Sequence, residues 1–216
     1  MRWGEIREGT RLLLIRHGET DWNREQRVQG HQDALLSELG VRQAECLADW
    51  LDWRPAVIYA SPLQRAWRTA ELLTDGSVPL IPEPRLREVG MGRFEGLTTR
   101  EIQMRYPVAW AAWRRDAIRH RPPEGEGLLA LQERAVEALA ERLPQHPGET
   151  VALVMHGGTV RVLVCALLGV PIEVYPHLRV DNASVTRFLF RAWGPTLVGF
   201  NEIAHLRGLE PGSVGG

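Results

Sequence analysis

The sequence predicts an α/β fold: three layers, a mostly parallel central sheet, and a small helical insertion over the site. Short apolar runs alternate with longer helical patterns, as they do where helices connect parallel strands. The runs are apolar throughout, as strands buried on both faces are. Two of the strongest stop abruptly at His-Gly, in Arg16-His17-Gly18 and Met155-His156-Gly157. Sheets of this kind bind ligands beyond the carboxyl ends of their strands.

Residues 11–16 (RLLLIR) read as a buried strand ending in a polar loop. Over 37–53, Leu39, Ala44, Leu47, Ala48 and Leu51 fall near one helical face. Residues 57–60 (VIYA) form a second strand. Ser61-Pro62-Leu63-Gln64 then reads as a helix start, with Ser61 as N-cap, Pro62 in the first helical position and Gln64 placed for a capping box. Residues 78–82 read as a short third strand. Thr98 to Glu101 repeats the capping-box pattern, and helix follows to about residue 119, broken at Pro107. Pro122 to Gly125 is a turn, and a helix over 128–143 is closed by Pro144 and by Pro147-Gly148. Residues 150–155 (TVALVM) form a strong buried strand, and an apolar helix over 160–168 stops at Gly169 and Pro171. Residues 185–190 and 196–200 read as late strands, and the Gly-rich tail from Gly208 as loose.

No internal repeat or linker divides the chain, so residues 1–216 read as a single domain. The stretch 93–125 admits two readings. One is a surface helix with a few buried tryptophans. The other is a helical lid whose Trp110, Trp113, Arg114, Arg115, Arg119 and Arg121 reach a substrate.

Apolar residues make up 44% and charged residues 25% of the chain, which excludes a disordered class. A net charge of −1 supplies no field toward nucleic acid or an anionic membrane. All 26 basic residues are Arg. Codon bias accounts for most of that excess, yet the absence of Lys excludes Schiff-base and Walker A chemistry. Cys46 and Cys165 sit among apolar neighbours in predicted helices, so they read as buried free thiols in a reducing compartment. The first ten residues lack an apolar signal-peptide core, and no apolar run approaches membrane-spanning length. A cytoplasmic protein is expected.

His17 stands out among seven histidines by its company. It follows Arg16 at a strand end, and Gly18 lets backbone approach a ligand closely. A neutral imidazole is a competent nucleophile once a carbonyl fixes its tautomer. Phosphoryl transfer works mainly by positioning and by neutralising charge on the non-bridging oxygens. Arg16, Arg65 and His156 are the candidate donors to those oxygens, with Asn23 as a neutral donor; Gln29-Gly30 lie just beyond in the same polar loop, and Gly157 follows His156. Arg65 lies in the first turn of one helix and His156 just before another, and helix starts favour anions. Glu88 is the candidate general acid, and Glu95 is its competitor in the same segment.

These residues carry a resemblance. LLLIRHGETDWN is similar to the Arg-His-Gly-Glu signature of the histidine phosphatase superfamily, which includes cofactor-dependent phosphoglycerate mutases. YASPLQRAWRTAELL, LREVGMGRFEGLT and VALVMHGGTVRVLV continue it in order, over about residues 11 to 170. The resemblance implies a phosphoglycerate mutase-like fold, with His17 phosphorylated and Glu88 as proton donor. It also implies a pocket of Arg16, Arg65 and His156, assisted by Asn23, Gln29 and Gly30. There are two departures. Met91 and Phe94 replace residues usual in the segment ending Glu95-Gly96, and Gly127 stands where members carry Ser.

The expected activity is hydrolysis of a small phosphomonoester through a phosphohistidine, with no metal and no cofactor. The rivals are a phosphoglycerate mutase and a non-catalytic phosphate-binding protein. Val28-Gln29-Gly30-His31 and His156-Gly157-Gly158 look more like the phosphatase branch. Cys-x5-Arg, Asp-x-Asp, GxSxG, HExxH and paired CxxC motifs are absent, and His31 and His177 lack metal-ligand spacing. The expected partner is a small-molecule substrate, with neither nucleic acid nor membrane, and a homodimer is left open.

Overall fold

A computed structural model describes residues 3–209, so most of the tail expected to be loose lies outside the described residues. The six strands are β1 (Arg11–Arg16), β2 (Val57–Ala60), β3 (Leu80–Pro82), β4 (Thr150–Met155), β5 (Val185–Arg191) and β6 (Gly194–Glu202). They form one sheet in the order β3-β2-β4-β1-β5-β6. The first four strands of that order run parallel, and β5 and β6 are antiparallel. The helices are α1 (Asp21–Arg24), α2 (Glu38–Trp50), α3 (Gln64–Leu72), α4 (Thr99–Arg105), α5 (Pro107–Arg115), α6 (Leu128–Arg142) and α7 (Gly157–Leu168).

Strand periodicity builds the layers. Successive side chains of a strand point to opposite faces. In β1, Leu12 and Leu14 join one apolar cluster while Leu13 and Ile15 join the other. In β4, Val151, Leu153 and Met155 go one way, and Ala152 and Val154 the other. The first cluster is closed by Leu131, Val136, Val160 and Val164 of α6 and α7. The second is closed by Leu47 of α2 and by Ala66 and Ala70 of α3. Central strands are therefore apolar on both faces, which is why their sequences do not alternate.

Three local expectations change. The helix after β2 starts at Gln64 with Leu63 as its cap residue, and no side chain caps it. Ser61 is not the N-cap and Pro62 stands outside the helix, because the Ser61 hydroxyl is engaged by His156 at 2.8 Å. The strand expected over 78–82 shortens to Leu80–Pro82. The short helix α1, closed by a capping box between Thr20 and Asn23, was not expected. Gly127 caps α6 with no side-chain hydrogen bond, as the missing hydroxyl implied.

The segment over 93–125 holds α4 and α5. Thr98 caps α4 through the expected box with Glu101, and Pro107 opens α5. Trp110 and Trp113 pack against the α6–α7 core, and Phe94 packs edge-on to Trp110. No helix among the described residues is long and apolar enough to cross a membrane.

Candidate active site

The parallel register of β1 and β4 brings the two His-Gly ends together. Arg16 pairs with Met155, so the next residue of each strand, His17 and His156, falls side by side. The His17 N–H donates to Met155 O at 2.9 Å, and the two imidazoles meet edge-to-face with centroids 5.2 Å apart. On the other side of β4, Ser61 N donates to Val154 O, which sets Ser61 beside His156.

His17 is 3% exposed. Its Nδ1 lies 2.6 Å from the carbonyl of Gly18. A carbonyl only accepts, so Nδ1 carries the proton and Nε2 keeps its lone pair. Burial, and then the charges of Arg65 and Arg16, hold the imidazole well below its usual pKa of 6.5. His17 is thus neutral near pH 7, with a bare Nε2.

His156 is fully buried, and its Nε2 lies 2.8 Å from Ser61 Oγ. The Leu63 N–H donates to the same Oγ at 3.4 Å, which leaves the hydroxyl proton free for His156. His156 Nε2 then accepts, and Nδ1 bears the hydrogen. Burial and Arg65 hold this ring well below 6.5 as well. The two neutral histidines therefore share a tautomer but offer opposite faces, a lone pair from His17 and an N–H from His156.

The arginines are held by carbonyls. Arg65, 1% exposed, donates to Gln32 O at 2.8 Å and Gly30 O at 2.7 Å. Burial lowers its pKa to about 10, so it remains a cation near neutrality. Arg16 donates to Val180 O at 2.6 Å. Arg16 Nε, Arg65 Nε and His156 Nδ1 are buried nitrogens without a hydrogen-bond partner. Leaving a buried polar group unpaired costs roughly 1–3 kcal/mol, so three such donors around one histidine fit an anion site and not a packed core.

Glu88 faces the same cavity. The N–H groups of Val89 and Gly158 donate to its carboxylate, each at 2.9 Å. Gly158 lies in the first turn of α7, so Glu88 occupies the positive end of that helix. A Cβ on Gly158 would lie 2.3 Å from Glu88 Oε1, which explains a glycine there. Arg134 fixes the segment behind Glu88 by donating to the carbonyls of Arg85, Arg87 and Glu88. Glu95 plays a different part. Its Oε1 accepts from the N–H groups of His31 and Met91, and it does not line the cavity.

The cavity is about 210 Å³ and is lined by Arg16, His17, Asn23, Gln29, Gly30, Arg65 and Glu88 among others. Asn23 Oδ1 accepts from Thr20 N and Thr20 Oγ1, which turns its amide NH2 away from them. Gln29 donates to Thr20 Oγ1 at 2.9 Å, and its Oε1 is buried without a partner. Gly30 needs its φ of +54°, and a Cβ there would strike Glu95. His156 and Gly157 do not line the open cavity: His156 packs edge-to-face with His17, its Nδ1 unpartnered, and Gly157 packs on the Arg16 guanidinium. Of the two altered residues before Glu95-Gly96, Met91 lines the cavity and Phe94 is buried in the core.

Sequence reasoning missed four participants. Ser61 was read as a helix cap. Arg161 and Tyr175 line the cavity, with the guanidinium stacked 4.0 Å above the ring. Asn182 donates to the carbonyls of His17 and Gly18 from the loop before β5. Arg161 alone had a sequence signal, as a charged residue one turn into an otherwise apolar helix. Of the six residues that the lid reading of 93–125 named, Trp113 lines this cavity, and Trp110, Arg114, Arg115, Arg119 and Arg121 do not. Among the described residues, no three His, Cys, Asp or Glu side chains gather as a metal site would require.

Several known proteins are similar to this chain. A glucosyl-3-phosphoglycerate phosphatase of Mycolicibacterium vanbaalenii is 39% identical over 184 residues, 81% of each chain. A probable phosphoglycerate mutase GpmB of Cronobacter sakazakii is 37% identical over 182 residues, 82% of this chain and 83% of that one. The solved structure of Bacillus stearothermophilus YhfR superposes with a TM-score of 0.86 at 34% identity, covering 92% of this chain and all of that one. The model of the histidine phosphatase superfamily (branch 1) matches residues 12–203, and the chain belongs to that superfamily.

Proposed function

We propose that this protein is a phosphomonoester hydrolase that works through a phosphohistidine on a small phosphorylated metabolite. The observation that carries the reading is the neutral, buried His17, whose bare Nε2 shares one cavity with Arg16, Arg65 and Glu88. His17 Nε2 attacks phosphorus, and the bond from phosphorus to the ester oxygen breaks. Glu88 hands a proton to that oxygen, and the alcohol leaves. Water then attacks the phosphohistidine, Glu88 takes a proton from it, and phosphate departs.

Arg16, Arg65 and the Nδ1–H of His156 neutralise the three non-bridging oxygens as charge develops on them. Asn23, Gln29, Gly30 and Gly157 shape and support the phosphate pocket. No step calls on a metal. Residues 93–125 act as the wall over the site within one 1–216 unit. The names of relatives, a glucosyl-3-phosphoglycerate phosphatase among them, support small anionic metabolites as the substrate class.

The test is a phosphomonoester panel assayed with chelator present, alongside acid-quench labelling. The expected result is release of phosphate and an acid-labile phosphoenzyme, both abolished in His17→Ala. Turnover retained in that variant refutes the assignment. Interconversion of 3- and 2-phosphoglycerate with 2,3-bisphosphoglycerate, without net phosphate release, establishes a mutase instead.

A further inference from the structure

The tautomer of His17 rests on one carbonyl, that of Gly18, and a peptide beside glycine turns freely unless its ends are held. Both peptides of Gly18 are held. In the one before it, the Gly18 N–H donates to Thr69 Oγ1 at 3.1 Å, and His17 O accepts from the Ala183 N–H at 3.0 Å. In the one after it, the Glu19 N–H donates to Gln43 Oε1 at 2.8 Å, and Gly18 O accepts from His17 Nδ1. Asn182 joins the two, with its Nδ2 at 3.2 Å from His17 O and 3.2 Å from Gly18 O. The same nitrogen lies 3.2 Å from Asn23 Oδ1. All three neighbours accept, so the amide NH2 faces them, and its two hydrogens serve three oxygens.

The loop before β5 is built to hold that side chain. Asp181 N donates to Asn201 Oδ1 at 2.7 Å, and Asn201 Nδ2 returns a bond to Asp181 Oδ2 at 2.8 Å. Ala183 is fully buried and left-handed, with a φ of +54°. A Cβ makes that backbone unfavourable, and such strain persists where the surroundings over-determine it. Here they do so from both ends. The Ala183 N–H is committed to His17 O, and the Ala183 carbonyl accepts from His205 Nε2 at 3.0 Å. Asn182 does not line the His17 cavity, so it reaches the backbone of the nucleophile and not the substrate.

We propose that Asn182 is a positioning residue for phosphoryl transfer. It pins the Gly18 carbonyl against His17 Nδ1, so that the ring keeps its hydrogen there and its lone pair on Nε2. The inference rests on the reading of His17 as nucleophile, and its first readout needs no turnover. The test compares the unsubstituted protein with Asn182→Leu, which keeps the branching and approximate size of the side chain but has no N–H to donate. Imidazole nitrogen spectra give the tautomer of His17, whose signals are identified by their absence from His17→Gln. Both proteins are then assayed on the phosphomonoester panel.

In the unsubstituted protein, His17 is expected to carry its hydrogen on Nδ1 alone. In Asn182→Leu the Nε2–H form should reach about a tenth of the molecules or more, and kcat/KM should fall roughly three- to tenfold. Thermal melts check that the variant is folded. If it is not, Asn182→Ala takes its place with the same expectation. An unchanged His17 spectrum in the folded variant overturns the inference even where activity falls, since packing alone then accounts for the loss. Full activity beside a shifted tautomer overturns it as well. A shifted tautomer, when the unsubstituted protein turns over no phosphomonoester, overturns the hydrolase reading and leaves the hold of Asn182 on His17 standing.

Discussion

Ser61 Oγ lies 2.8 Å from His156 Nε2, and that contact decides which nitrogen of the His156 ring carries the hydrogen. The imidazole is neutral, so it owns one N–H, and Ser61 directs that hydrogen to Nδ1. Ser61→Ala removes the donor and leaves both tautomers open. A single hydrogen bond of this kind is worth about 0.5–1.5 kcal/mol, so kcat/KM should fall roughly three- to tenfold. Imidazole nitrogen shifts should show His156 losing its Nδ1–H preference, with partial rescue by Ser61→Thr. Unchanged shifts alongside reduced activity would mean that Ser61 acts only through packing.

Gly158 and Glu88 are linked by space. Gly158→Ala places a methyl group where Glu88 Oε1 sits, and the carboxylate must swing away. Hydrolysis of an alkyl phosphate, whose leaving oxygen needs a proton, should slow by about tenfold or more. Hydrolysis of p-nitrophenyl phosphate, whose leaving group needs none, should be far less affected. Equal losses on both esters would count against Glu88 as the acid.

The two site histidines make stability depend on pH. Both have folded pKa values well below the 6.5 of the unfolded chain, and His205 is lowered by burial too. The unfolded state therefore binds more protons below pH 6.5. Stability is complete above that value and is lost as pH falls toward the folded pKa values. The loss is at most about 1.4 kcal/mol per group for each pH unit below 6.5. Melting temperatures recorded between pH 7.5 and 5 should fall, and His17→Gln should flatten the slope. A parallel profile in that variant would show that His17 titrates normally.

Gly127→Ser restores a cap to α6. The φ of −86° suits any residue, and nothing lies within 4 Å of the added Cβ. The gain should be a few tenths of a kcal/mol, seen as a melting temperature raised by about a degree at unchanged kcat/KM. A drop in melting temperature would contradict the open geometry at this position.

Much of this was readable in the chain because strand burial and helix caps are local. The runs RLLLIR and TVALVM declared buried strands, and the parallel register sets their His-Gly ends side by side. Thr98 and Glu101 announced α4 correctly. Ser61 misled because the sequence Ser-Pro-Leu-Gln satisfies the cap pattern, while the pull of His156, 95 positions away, is invisible in a local window. Tyr175 and Asn182 were missed for the same reason, since the 3-10 turn over Ile172–His177 and the loop before β5 that carry them take paths only the assembled sheet fixes. Glu88 and Glu95 looked alike in sequence. Backbone N–H groups separate them, drawing Glu95 into holding the loop at His31 and Met91.

The rungs joining β1 to β4 hold His17 and His156 at a spacing that no movement of residues 93–125 can alter. One side of the cleft is in effect an anvil, cast by main-chain pairing, and the facing side is built of exchangeable side chains on short helices. New substrates are then reachable by editing that facing side alone, and the reaction itself travels unchanged from one to the next.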